Sequence, residues 1–151
     1  MKIYISSDHR GVEVENKIAN YLKAMGLEVV RSQIEHTPVD DYVDFAFELA
    51  KNVANDNNSL GILLCGTGIG MSIAANKVKG IRAARCVDVD DAFYCKNHND
   101  ANVICLSSSI EENYIYEIID TFINTKSANE EKHVNRVNKI INFEVGAYNE
   151  L

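Results

Sequence analysis

The stretch LGILLCGTGIGMSIAANK, residues 60–77, decides the fold. Residues 60–64 are apolar throughout and do not alternate, as expected of a strand buried on both faces of a parallel sheet. Cys65 ends that run. Gly66, Gly68 and Gly70 follow at every second position, and a helix-like segment comes next, from about residue 70 to 78. A buried strand that passes through a bare turn into a helix is the first half of a βαβ unit.

The same alternation runs through the chain. Residues 2–6 predict a buried strand. Residues 11–25 predict a helix, with Val14, Ile18, Tyr21, Leu22 and Met25 at helical spacing and Gly26 as its C-terminal cap. A second strand is expected at 27–31 and a polar loop at 32–40, which holds the only proline, Pro38. A helix at 41–55 follows, on Val43, Ala46, Phe47, Ala50 and Val53. The turn NDNNS separates it from the strand of the opening stretch. Further strands are expected at 81–86 and 102–106, and further helices at 89–97, 111–124 and 129–143. Crossovers of this length imply a doubly wound, five-stranded parallel sheet in a Rossmann-like three-layer α/β/α arrangement, with a last helix closing the chain. Residues 1–151 carry no repeat or linker and are expected to form one domain.

Composition narrows the function. An apolar share of 46% supports a sizeable core, and a formal charge of −7 argues against a nucleic-acid or anionic-membrane surface as the main business. No segment approaches the roughly 20 apolar residues of a membrane span. The N-terminal apolar run is too short for a signal peptide. Cys65, Cys86, Cys95 and Cys105 form no CxxC pair, and no Cys/His cluster has zinc spacing. Cys86, Cys95 and Cys105 read as buried thiols in a reducing cytoplasm.

Cys65 is different because of the turn it opens. Glycines there let the backbone approach a ligand, and the following helix aims free N–H groups at the turn. Thr67 and Ser72 add polar groups, so an anion nest is a better reading than a plain tight turn. It is not a phosphate loop of the Walker kind, which needs Lys-Ser/Thr after its last glycine. The dinucleotide pattern G-x-G-x-x-G also fails, because Met71 stands where its third glycine should be. Only Asp88, about 20 residues on, keeps a nucleotide reading open. A thiol at a helix N-terminus is a poised nucleophile or general base. Beside an anion nest it suits abstraction of a proton next to a carbonyl, with the nest holding the oxyanion that forms.

Other polar residues leave choices open. His98 lies in KNHNDAN, just before the last strand, and reads either as a solvated loop residue or as a proton-transfer group. Asp8-His9 follows the first strand; a capping Asp with a bystander His is the simpler reading of that pair alone, sugar and anion binding the sharper one. His36 reads as a bystander. Lys132 and Arg136, four apart on the last helix with His133 between them, read as a solvated face or as a phosphate clamp.

Taken together these residues resemble a known family. D-H after the first strand, C-G-T-G-x-G-x-S-I-A-A-N-K, G-I-R-A, H-N-D-A-N and the late H-x-x-R-V are similar to ribose-5-phosphate isomerase type B, a family that includes galactose-6-phosphate and allose-6-phosphate isomerases. The match covers nearly the whole chain. It implies an aldose–ketose isomerase of pentose phosphate metabolism that needs no metal or nucleotide cofactor. It also implies a homodimer, sometimes a tetramer, with the active site shared at the subunit interface. Carried over by the resemblance, Cys65 is the base that moves a proton between C2 and C1. The backbone of Gly66, Thr67, Gly68, Ile69 and Gly70 forms the anion hole, and His98 opens the furanose ring with Thr67 nearby. Asp8 and Asn99 hold substrate hydroxyls, His9 and Arg136 contact the phosphate, and Tyr42 matches the tyrosine of the family's D-Y-P.

Three departures fall mainly at the phosphate end. Ser109 stands where the family usually has arginine, Lys132 replaces an arginine, and Val43 replaces the proline of D-Y-P. Lysine keeps the charge but not the bidentate fork. The rival readings are a hexose-6-phosphate isomerase and a non-catalytic sugar-phosphate binder. The complete CGTG and HND signatures favour the ribose enzyme.

Overall fold

The computed structural model describes residues 1–149. Strands and helices alternate as the sequence predicts: β1 (Lys2–Ser7), a single 3₁₀ turn (His9–Gly11), α1 (Val12–Ala24), β2 (Glu28–Arg31), α2 (Tyr42–Ala54), β3 (Ser59–Cys65), α3 (Ile69–Ala75), β4 (Ala83–Arg85), α4 (Val89–Asn97), β5 (Val103–Ser107), α5 (Glu112–Asn124) and α6 (Glu131–Glu144). Helix α1 ends at Gly26, where Gly26 N–H bonds the Lys23 carbonyl and Leu27 N–H the Leu22 carbonyl. That pair of bonds satisfies carbonyls the helix leaves free.

Two elements are shorter than their apolar runs suggest. Helix α3 stops at Ala75 because the Asn76 side chain turns to β4: its Nδ2 donates to the Ala83 carbonyl and its Oδ1 accepts from Ala83 N–H, at 2.9 and 2.8 Å. Strand β4 starts only at Ala83 because Ile81 N–H closes a turn on Val78 and Arg82 N–H goes to the Asn102 side chain.

The sheet is five-stranded and wholly parallel, in the order β2-β1-β3-β5-β4. Both faces are covered, so successive side chains on each strand serve opposite cores. Ile62, Leu64, Ile104 and Leu106 pack with Ile18, Leu22, Ile115 and Phe122 of α1 and α5. Leu63, Cys65, Val103 and Cys105 pack with Phe45, Leu49 and Met71 of α2 and α3. Phe45 and Phe122 are fully buried, and truncating either to alanine costs about 3–5 kcal/mol.

The strand order fixes where a ligand fits. From β1 the chain turns outward to β2; from β3 onward it builds the other half of the sheet. The winding therefore reverses between β1 and β3, and ligands of such sheets bind beyond the carboxyl ends of the strands at that point. Asp8-His9 leaves β1 there and the glycine turn leaves β3 there.

Helix α6 behaves differently from the rest. His133 is its only buried residue, while Val134, Ile140, Ile141 and Phe143 are exposed. It is tied down by the Glu144 carboxylate, which accepts from Gly80 N–H at 2.8 Å. No helix among the described residues is long and apolar enough to cross a membrane.

Candidate active site

Cys65 is the last residue of β3 and only 6% exposed. Its Sγ accepts a hydrogen bond from Gly68 N–H at 3.1 Å, so the turn curls back over the sulfur. This curl needs glycine. Gly68 has φ +77°, and a Cβ there would stand 3.1 Å from the Cys105 carbonyl oxygen. Gly70 leaves room for a neighbouring side chain. A Cβ on it would lie 2.6 Å from the ring of Tyr42, which closes over the start of α3.

The turn is pinned from β4 and β5. Ser107 Oγ donates to the Gly66 carbonyl at 2.7 Å, Ser108 N–H to the Cys65 carbonyl at 2.9 Å, and Arg85 Nε to the Thr67 carbonyl at 2.9 Å. Thr67 Oγ1 accepts from Ile69 N–H. With the carbonyls held from behind and the N–H groups of Gly66 and Thr67 taking no part in these bonds, the turn presents donors to whatever lies above the thiol. The turn is thus a rigid, preorganised site for a developing negative charge.

Asp8, His9 and Tyr42 gather at this same edge. Asp8 Oδ1 caps the 3₁₀ turn, accepting from Arg10 and Gly11 N–H. The capping that the sequence suggested is therefore present, and it uses one carboxylate oxygen of the two. His9 Nδ1 meets Asp40 Oδ1 at 2.6 Å.

The remaining predicted residues lie elsewhere. Gly61 N–H bonds the Asn102 carbonyl at the start of β3, while Cys65 pairs with Ser107 at its end. The four-residue difference places the two levels about 13 Å apart. His98 and Asn99 precede Asn102 and sit at the amino-terminal edge of the sheet. His98 caps α4, and its ring stacks on His133 and touches Tyr94, with centroids 4.0 and 4.9 Å away. Arg136 is exposed and has no ion-pair partner among the described residues, whereas Lys132 pairs with Glu130 at 3.4 Å. One chain therefore places the thiol, the glycine turn, Asp8, His9 and Tyr42 at one edge of the sheet, and His98, Asn99, Lys132 and Arg136 at the other.

His133 is the residue that spacing alone missed. Its burial and its stack with His98 come from α6 folding back on α4; in the sequence it stood only as the histidine of the late H-x-x-R-V motif and as a neighbour of two cations. Asp88, which kept a nucleotide reading open, caps α4 by accepting from Asp91 N–H at 2.8 Å. The other three cysteines are buried; Cys86 and Cys95 face each other with 3.8 Å between sulfurs.

Fold and site together define an α/β protein with a thiol inside a glycine turn at the switch point of a parallel sheet. The chain belongs to the Ribose/Galactose Isomerase family, whose model matches residues 3–140. It is 45% identical over 146 residues to a probable ribose-5-phosphate isomerase B of Mycoplasma pneumoniae, covering 94% of each chain. Its fold superposes on ribose-5-phosphate isomerase B of Clostridium thermocellum with TM-score 0.90 and 39% identity, covering 97% of this chain and 99% of that one. The Mycoplasma genitalium enzyme, solved with bound ribulose-5-phosphate, matches with TM-score 0.89 and 39% identity, covering 95% and 96%.

Proposed function

We propose that this chain interconverts ribose 5-phosphate and ribulose 5-phosphate, within pentose phosphate metabolism, as a homodimer of single-domain protomers. The observation that carries the reading is the Gly68 N–H on Cys65 Sγ inside a turn whose neighbouring amides are free. The name of the M. pneumoniae relative and the ligand of the M. genitalium structure supply the sugar.

In this reading the Cys65 thiolate removes the proton from C2 of the open-chain sugar and returns it at C1. The O2 hydroxyl proton ends on O1, and the electron pair passes through a cis-enediolate. That oxyanion lies against the N–H groups of Gly66, Thr67 and Gly70, donors that need no reorganisation as charge develops. His98 moves the proton that opens the furanose ring, with Thr67 beside it. Asp8, through its free oxygen, and Asn99 bind hydroxyls. Tyr42 walls the site, and His9, Lys132 and Arg136 hold the phosphate.

The same geometry supports the dimer. Because His98 and Cys65 occupy opposite edges of one sheet, a second copy must bring its His98 edge to this chain's Cys65 edge. Exposed apolar side chains on α3 (Ile69, and Ile73 at 59%) and α6 (Ile140, and Phe143 at 72%) offer a surface for that docking. A two-fold axis then completes two sites at once. Four free thiols are consistent with a reducing cytoplasm.

The test is a coupled assay over ribose, allose and galactose phosphates. The expected result is the highest kcat/KM for ribose 5-phosphate. A higher value for a hexose phosphate would move the assignment to that sugar. Absence of C2 proton exchange in D₂O would leave only a sugar-phosphate binder.

A further inference from the structure

The loop between β2 and α2 carries a side-chain cluster that the scheme above does not use. Asp40 lies in this loop, and its side chain is only 6% exposed. One carboxylate oxygen, Oδ1, accepts from the backbone N–H of His9 at 3.1 Å and meets His9 Nδ1 at 2.6 Å. The other, Oδ2, meets His36 Nδ1 at 2.9 Å and accepts from Thr37 N–H at 3.4 Å. The His36 ring in turn stacks on Phe45, with centroids 4.8 Å apart and planes 12° from parallel. Phe45 is part of the core.

These contacts form a chain from the core to the edge of the site: Phe45 holds the His36 ring, His36 and Thr37 hold one oxygen of Asp40, and the other oxygen holds His9. An ionised carboxylate only accepts hydrogen bonds, so both imidazoles turn N–H toward it. His9 Nδ1 is thereby committed, and Nε2 is the ring atom left for a ligand. A ring with Nδ1–H on a carboxylate donates to an anionic oxygen only as imidazolium, with N–H at both nitrogens. Asp40 supplies the countercharge that this form requires. The backbone bond to His9 adds a second constraint, fixing where the ring starts as well as how it turns.

We propose that Asp40, held by His36, is a positioning residue for His9, presenting Nε2–H to the phosphoryl group of the substrate. The proposal rests on the reading above that His9 contacts phosphate. It makes this loop part of the phosphate end of the site, the end at which Ser109 and Lys132 depart from the family's pattern.

The test compares wild type with Asp40→Asn, His36→Asn, His9→Asn and the His9→Asn/Asp40→Asn double variant, using inorganic phosphate as a competitive inhibitor alongside ribose 5-phosphate. Asparagine keeps the shape of Asp40 and removes its charge. Asp40→Asn is expected to raise the phosphate Ki and the KM together by about tenfold, with kcat within about twofold, the pattern of lost uniform binding. His36→Asn is expected to move both in the same direction by about twofold to threefold, since it loosens Asp40 without removing it. In the double variant, Asp40→Asn adds nothing to the effect of His9→Asn, because a residue that acts through another has no effect once that other is gone. An unchanged Ki in Asp40→Asn, with a raised Ki in His9→Asn, overturns the positioning role. Additive effects in the double variant overturn it too. An unchanged Ki in His9→Asn instead overturns the phosphate contact of His9 itself. If Asp40→Asn does not fold, the same cycle run with His36→Asn decides the matter.

Discussion

The imidazole rings of His98 and His133 lie face to face, 4.0 Å between centroids and 11° from parallel. This stack joins the end of α4 to the start of α6. Burial, the neighbouring His98, and Lys132 and Arg136 all lower the pKa of His133 below its ordinary value of 6.5, against a weaker opposing pull from Glu130. A histidine with a lowered folded-state pKa is disfavoured in its charged form. Its contribution to stability is present above about pH 6.5 and is lost as pH falls through the lowered value. Melting temperature is expected to decline between pH 7 and pH 5. His133→Phe, which keeps a ring against His98 and removes the titration, is expected to flatten that decline; an unchanged slope would show that His133 is not its source.

Asp40 governs a separate, more acidic transition. Burial alone would raise its pKa, but hydrogen bonds from the His9 and His36 rings and from His9 and Thr37 N–H outweigh that and hold it at about 2. The depressed value means stability that is present above pH 4 and lost as pH falls through about 2, worth about 2 kcal/mol. Asp40→Asn is expected to lower stability at pH 7 and to remove that part of the acid dependence, measured by urea unfolding from pH 7 to about pH 2.

In the proposed mechanism the glycine turn and its thiol set the rate. Cys65→Ala is expected to abolish isomerisation and to leave the melting curve near wild type; a variant with near-wild-type kcat would remove Cys65 from the mechanism. Gly68→Ala is expected to cost about 1–2 kcal/mol in stability because alanine is strained at positive φ. It is also expected to lower kcat more than it raises KM, since a Cβ 3.1 Å from the Cys105 carbonyl oxygen shifts the turn and moves the residue-68 N–H away from the sulfur.

The split site gives a test that needs no structure of the assembly. In the proposed dimer, mixing Cys65→Ala with His98→Asn chains under subunit exchange gives heterodimers with one intact site each. Activity is expected to recover to about a quarter of wild type, from two variants that are nearly inactive alone. No recovery despite proven exchange would mean that each site is built from one chain.

Several of these features were legible in the residue string. The unbroken apolar runs at residues 60–64 and 103–106 announce strands buried on both faces, because side-chain direction along a strand is a local property. The nest beside Cys65 is also local: three alternating glycines and the start of a helix lie within six residues, so backbone geometry alone brings them to the sulfur. What only the tertiary structure decided depends on residues far apart in the chain. The insertion of β5 between β3 and β4 puts Ser107 and Arg85 under the glycine turn. The same arrangement sends His98 to the opposite edge from Cys65, although both belong to one signature. His36 read as a bystander because nothing near it in sequence calls for a charge, yet it lies on the carboxylate that holds His9, 27 positions earlier in the chain. His133 meets His98 only because α6 crosses back over α4. Local spacing encodes backbone shape and the faces of elements. Which charges and rings meet is set by packing between elements, and that information exists only once the chain has closed on itself.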